Sequence, residues 1–223
     1  MEETTTQTPA VTKLNFDAEQ NMAPAVAGNM YLNPQVFEHV QRVSKVFAAS
    51  KLVPTQYQNN LADCVIAIEM ASRLDVHPMM FMQSSYIVHG KPSITGQFVI
   101  ALVNKRGPYK TGVSFKYERD KDGTPKSCTA YGIRKDTGEV QETTVTVEQA
   151  KAMGWWNKNP IWQTMTEQML TYRAASWLAR RYCPDVLMGL QSKEELLDVI
   201  EGEVIDSAKS LNEEIGSTNR ASN

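Results

Sequence analysis

Three alternating runs joined by two short turns constrain this chain more than any other feature of it. In GVSFKYER (residues 112–119), Val113, Phe115 and Tyr117 alternate with Ser114, Lys116 and Glu118. The turn DKDG follows at 120–123, SCTAYGIR returns over 127–134, KDTG turns again at 135–138, and EVQETTVTV completes the set over 139–147. Alternation with a period of two, punctuated by Asp and Gly turns, marks antiparallel hairpins. The runs therefore predict a three-stranded meander with one polar face. Its apolar face needs a cover, and the cover has to be helical, because the flanking sequence carries helical periodicity.

NPQVFEHVQRVSKVFAAS opens with Asn33 before Pro34, an N-cap followed by proline at the first helical position. Val36, Phe37, Val40, Val43 and Phe47 then recur at helical spacing. LVPTQ breaks this helix, and a second one is predicted from Tyr57 to Leu74, ending at DVHP because Pro78 disfavours helix at His77. SSYIVHGKPS predicts a short strand with a Gly-Lys-Pro turn. Thr95 caps the compact helix GQFVIALVNKRG, which Gly107 stops and whose last turn carries Lys105 and Arg106 toward the negative end of the helix dipole. Thr146 with Gln149 three residues on has capping-box spacing for TVEQAKAMGWW. After the loop WNKNP, WQTMTEQMLTYRAASWLARRYCPD (162–185) reads as one long helix, and SKEELLDVIEGE as a final amphipathic one. No internal repeat is visible. The fold class expected is α+β: a short antiparallel β-meander packed against several α-helices, with disordered N- and C-terminal tails. The expected divisions are a disordered tail at 1–33, a single α+β core at 34–201, and an acidic flexible tail at 202–223.

Charge is segregated along the chain. The net −2 conceals a segment, residues 91–182, with fifteen Lys and Arg against eight Asp and Glu, while residues 183–223 hold three against nine. A basic centre between acidic flanks suits a polyanionic ligand and a solvated or self-masking C-terminus. The N-terminus MEETTTQTPAVTK is acidic and polar, the reverse of a signal peptide, and no apolar run approaches the roughly 20 residues that span a bilayer. A cytoplasmic protein is expected, with no membrane partner. Cys64, Cys128 and Cys183 are far apart and form no CxxC or Cys/His spacing, so reduced thiols and no zinc site are expected.

Candidate chemistries are few. GKPS at 90–93 lacks the earlier glycine of a phosphate loop, since Ser85 stands there, and Pro92 removes a donor. His39, His77 and His89 have no partner in any nucleophile pattern. The carboxylates sit mainly in turns (Asp120, Asp122, Asp136) and near the C-terminus, where turn chemistry accounts for them. No catalytic residue and no metal ligand is expected.

The basic and aromatic residues are more informative. Lys91, Lys105, Arg106, Lys110, Lys116, Lys151, Lys158, Arg173, Arg180 and Arg181 interleave with Tyr109, Tyr117, Trp155, Trp156, Tyr172 and Trp177. Single-stranded nucleic acid asks for this mixture: cations neutralise phosphates, and flat side chains stack on splayed bases. Taken singly, a Trp is more often core than platform, and a Lys usually solvates a face, so the reading rests on co-location. On the helix 162–185, Trp162, Met165 and Met169 share one face. Arg173, Trp177, Arg180 and Arg181 form a second ridge, predicted to line a groove because buried arginines without partners are costly. The expected DNA-binding set is Lys91, Lys105, Arg106, Lys110, Lys116, Lys151, Trp155, Trp156, Lys158, Tyr172, Arg173, Trp177, Arg180 and Arg181.

Four stretches, taken in order over roughly residues 60 to 205, resemble the RecT-type phage single-strand annealing proteins of the RecT/Redβ recombinase superfamily. They are NNLADCVIAIEMASRLDVHP, YIVHGKPSITGQFVIALVNKRGPYK, VEQAKAMGWWNKNPIWQTMTEQML and YRAASWLARRYCPD. The chain reads as a divergent member: Tyr172-Arg173 stand where the family has Lys-Thr, Ser176-Trp177 where it has paired arginines, and Arg180 falls on a usually basic position. The resemblance implies an ATP-independent protein that coats single-stranded DNA, assembles into rings or filaments, and pairs complementary strands. It implies no cofactor, with magnesium at most modulatory. Implied partners are single-stranded DNA, the annealed duplex, further copies of the chain, a phage exonuclease and a host single-strand-binding protein, in a bacterial cytoplasm carrying phage or prophage genes. Two alternatives stand beside it: a metal-dependent phage DNA nuclease, and an interaction protein on the same fold that binds no DNA.

Overall fold

The computed structural model describes residues 30–88 and 90–198. The tails expected at 1–33 and 202–223 lie outside them, apart from residues 30–33, and so does His89. The chain divides into two compact units, residues 1–72 and 73–223.

In the first unit, α1 runs Pro34–Ala49 where the cap signal placed it. The Asn33 side chain accepts hydrogen bonds from the backbone N–H of Gln35 (3.1 Å) and Val36 (3.3 Å), satisfying donors that a helix start leaves open. A 3-10 turn at Thr55–Tyr57 precedes α2, Leu61–Arg73. The second helix therefore begins four residues later than its periodicity suggests. Asn59 takes a left-handed φ of 57°, which interrupts any helix through it. Asn60 then starts the helix, accepting from the Asp63 N–H and donating to its carboxylate.

The second unit holds both sheets. Pro78 opens a helix as well as closing one: α3 is Pro78–Ser84, and the His77 ring nitrogen Nδ1 accepts from the Met79 N–H as its cap. The expected single strand with a Gly-Lys-Pro turn is a hairpin, with β1 at Ser85–Val88 and β2 at Lys91–Ile94. Lys91 and Pro92 are strand residues, paired with Val88 and Ile87. α4 (Gly96–Arg106) starts on the Thr95 side chain and ends at Gly107.

The meander forms as predicted, with β3 at Ser114–Arg119, β4 at Pro125–Ile133 and β5 at Val140–Thr146. Its rows are set by register: Phe115, Ala130 and Thr143 in one, and Tyr117, Cys128 and Val145 in the next. These face inward, and the central strand contributes only small residues there. α5 (Val147–Ala152), α6 (Trp155–Lys158) and α7 (Ile161–Thr164) lead into α8 (Thr166–Tyr182), which lies across β4 and β5 and against α4. Two glycines allow close approach. A Cβ on Gly132 would fall 2.5 Å from the Tyr109 ring, and one on Gly96 would fall 2.6 Å from Tyr172.

The predicted helix 162–185 is three helices. Met165 leaves helical geometry (φ −132°, ψ 47°), separating α7 from α8, and α9 (Pro184–Leu187) follows Cys183. Trp162 and Met169 are buried as expected, but Met165, at the break, is exposed. β6 (Gln191–Ser192) then pairs in parallel with Ser93 and Ile94, and α10 (Lys193–Asp198) packs on α8 and the first sheet. The helix predicted to run to 203 has its residues 199–203 outside the described part. The result is an α+β fold with two small three-stranded sheets among ten helices in the described residues.

Candidate nucleic-acid interface

The structure sorts the basic and aromatic residues into an interior set, a tethered pair and an exposed set.

The interior set corrects the expected arginine ridge at Arg173; Arg180 and Arg181 at the end of α8 are exposed. Arg173 is 6% exposed. Its guanidinium pairs with Asp198, lies 3.7 Å from Glu195, and sits 4.1 Å from the Trp155 ring centroid. Arg180 pairs with the same Glu195. Asp198 also accepts from Trp162 Nε1 (2.9 Å) and Asn159 Nδ2 (3.1 Å). Trp155 stacks on Trp162 and meets Trp177 edge to face, with centroids 5.6 and 5.9 Å apart. Trp155 and Arg173 are thus core residues that do not line a groove. Arginine can be buried here because α10 supplies two carboxylates to it. Burial pulls the Arg173 pKa down, and the two carboxylates oppose that. Glu195 also closes a capping box with Ser192: the Ser192 N–H and hydroxyl donate to its carboxylate, and its own N–H donates back to the Ser192 hydroxyl. Sequence reasoning missed this acidic contribution. The signal was present, since SKEE at 192–195 carries the Ser-x-x-Glu spacing of a helix start. Tyr172 is half-buried on Gly96 and accepts from Gln168. Tyr109 and Tyr117 also turn inward, Tyr117 reaching the Thr171 hydroxyl at 2.9 Å.

Lys105 and Arg106 form the tethered pair. Lys105 lies 3.3 Å from the Asp75 carboxylate, and Arg106 donates to the Arg73 carbonyl at 3.0 Å. Both hold the corner after α2.

The exposed set contains Lys91, Lys110, Lys116, Lys151, Lys158 and Arg181. Some of these come together on the outer face of the meander. Register puts Lys116 beside Thr129 and Thr144, whose hydroxyls are 2.7 Å apart, and the Lys116 ammonium lies 4.5 Å from the Tyr131 ring centroid. The next outward row, Glu118, Ser127 and Thr146, leads to a hollow of about 490 Å³. Lys126, Lys151 and Trp156 help line it, with the Lys151 ammonium 5.0 Å from the Trp156 centroid. Lys126 and Tyr131 were absent from the expected set; the register of the first hairpin places Tyr131 outward opposite Ser114, whereas Lys126 reaches the surface at the bulge where the pairing shifts beside Glu118 and Arg119. Lys91 stands apart on β2, Lys110 follows Tyr109, Lys158 ends α6, and Arg181 lies over the Tyr182 ring. Among the described residues no group of three His, Cys, Asp or Glu is placed to hold a metal ion, and no helix is long and apolar enough to cross a membrane. All three cysteines are free and buried.

The outer face thus offers cations, hydroxyls and aromatic rings, a combination suited to phosphates and bases. Comparison with curated proteins gives no match. A sequence model of the RecT family matches residues 38–210, most of the chain. The chain belongs to the RecT family, a family of phage-type recombination proteins that anneal DNA rather than catalyse its chemistry.

Proposed function

We propose that this protein binds single-stranded DNA and anneals complementary strands in phage-type homologous recombination, as an oligomeric ring or filament and without ATP. Membership of the RecT family supports the reading, and one feature of the fold carries it to a surface: the outer face of the meander, where Lys116 and Tyr131 lie along the strands and Lys126, Lys151 and Trp156 lie at their end. Cations along such a face hold a strand by its phosphates, and base pairing with the incoming strand then tests sequence. No group on the protein has to react, because the product duplex is favoured by its own pairing and stacking. Lys91, Lys110, Lys158 and Arg181 extend the contact as further phosphate partners. Repeated copies would carry the strand from one subunit to the next through a head-to-tail interface, which closes into rings or continues as filaments. The work takes place in the cytoplasm of the bacterial host. Magnesium modulates it, and a phage exonuclease and the host single-strand-binding protein are its partners.

The test is annealing of two complementary fluorescent oligonucleotides by the purified protein, without nucleotide cofactor, across a salt series. Acceleration of annealing, with log affinity falling about 0.7 per phosphate contact against log salt, is the expected result. A chain that binds no oligonucleotide at low salt, or that cleaves the labelled strand when magnesium is added, overturns the reading.

A further inference from the structure

Trp156 is the one tryptophan of four that stays outside the cluster of Trp155, Trp162 and Trp177. Consecutive helical residues point about 100° apart, so on α6 Trp155 turns to the core and Trp156 to the hollow at the end of the meander. That hollow, about 490 Å³, lies within the roughly 300–1,000 Å³ range of small-ligand sites. Its chemistry is particular. Glu118 is held by the Ser127 hydroxyl at 3.2 Å, Asp120 pairs with Lys126 at 2.9 Å, and Glu148 lines the same space beside Lys151. Carboxylates inside a hollow repel phosphate but accept hydrogen bonds from the N–H groups of an uncharged planar ring. The indole supplies a flat apolar wall, and the lysines serve the charged backbone beside it.

We infer that this hollow takes one nucleobase of the bound strand, stacked on Trp156, while the flanking phosphates stay outside near Lys126 and Lys151. The inference rests on the single-strand reading above and refines it: each subunit withholds one base from the solvent-exposed row. The strand's register on the protein is then set by a pocket as well as by charge, and the incoming strand must draw that base out to complete the duplex.

Tryptophan fluorescence and anisotropy of a labelled mixed-sequence oligonucleotide, measured on the same samples, test it. Binding quenches emission in the wild type. Trp156→Phe keeps a stacking ring, so it retains affinity within about threefold and loses the quench, because the remaining three tryptophans lie in the interior cluster. Trp156→Ala, checked for folding by circular dichroism, weakens binding roughly ten-fold, the loss expected for one stacked base. A quench that persists unchanged in Trp156→Phe, with anisotropy still reporting binding, overturns the pocket and leaves the annealing reading standing. Wild-type affinity in a folded Trp156→Ala variant does the same. An absence of anisotropy change in the wild type would instead remove the annealing reading, and the pocket with it.

Discussion

Trp155 and Trp156 are neighbours in the chain, and each has a cation over its ring, yet they belong to different kinds of site. The guanidinium of Arg173 lies 4.1 Å from the Trp155 centroid inside a closed network of carboxylates, and the ammonium of Lys151 lies 5.0 Å from the Trp156 centroid at an open hollow. The same pair of residue types builds the interior in one place and offers a surface in the other. The difference comes from what stands behind the cation. Arg173 has Asp198 and Glu195 from α10, so its charge is spent inside the protein. Lys151 and Lys116 have an aromatic ring beside them and solvent beyond. A cation–aromatic pair read from sequence therefore indicates a binding surface only when no carboxylate arrives from elsewhere in the chain to close it.

The comparison is broken most severely at Arg173. Arg173→Ala leaves the buried Asp198 carboxylate without its counter-charge, while Glu195 keeps Arg180, and should cost about 3–5 kcal/mol of stability. Asp198→Ala should cost a comparable amount, since it strands the guanidinium, the Trp162 N–H and the Asn159 amide together; urea denaturation measures both. Trp155→Ala opens a cavity among the stacked rings and should cost about 3–5 kcal/mol, whereas Trp156→Ala should cost about 1 kcal/mol. Equal losses at the two tryptophans would erase the distinction between them. The triple change Lys116→Ala, Lys126→Ala, Lys151→Ala should leave the fold intact and reduce the slope of log affinity against log salt by about 2 if all three meet phosphates; an unchanged slope moves the strand to another face.

Smaller effects sharpen the picture at the edges. Glu194 accepts from the Gly96 N–H at 2.8 Å at the start of α4, and burial raises its pKa above the usual 4.5. A raised carboxylate pKa means the folded state holds the proton more readily, so its contribution is full below 4.5 and is lost as pH climbs through the folded value. Glu194→Gln should therefore flatten the fall in melting temperature over that acidic window, measured by thermal scans at a series of pH values. Burial pushes the Cys128 and Cys183 thiols up to about 11. Alkylation of both at pH 8 should be slow until the protein unfolds, which mass spectrometry of iodoacetamide-treated samples would show.

Much of the fold was legible because local chemistry dictated it. Asn33, Thr95 and Thr146 each cap the helix that begins after them, and the alternation through Lys116 and Tyr117 set both the register of the meander and its outward face. What escaped was non-local or geometric. The helix break at Met165 has no proline or glycine to announce it; Trp162 on one side of it stacks on Trp155, and α8 on the other crosses the sheet. The three-way partnership of Arg173, Glu195 and Asp198 joins residues more than twenty positions apart, and periodicity along α8 reports only that arginines share a side, not what meets them. Lys116, Lys151 and Trp156 are expected at a surface from their company alone, and they lie on the outer face of the meander or at its end. Lys105 and Arg106 came with the same company and lie on the corner after α2.

The double duty of Glu195 limits how short the polypeptide can be made. Its carboxylate finishes the turn that starts α10 and at the same time answers two guanidiniums on a helix fifteen and twenty-two residues earlier. A C-terminal deletion that stops ahead of it would strip away more than the last residues of the sequence. What it would remove is the counter-charge that lets the longest helix of the fold keep an arginine in the dark.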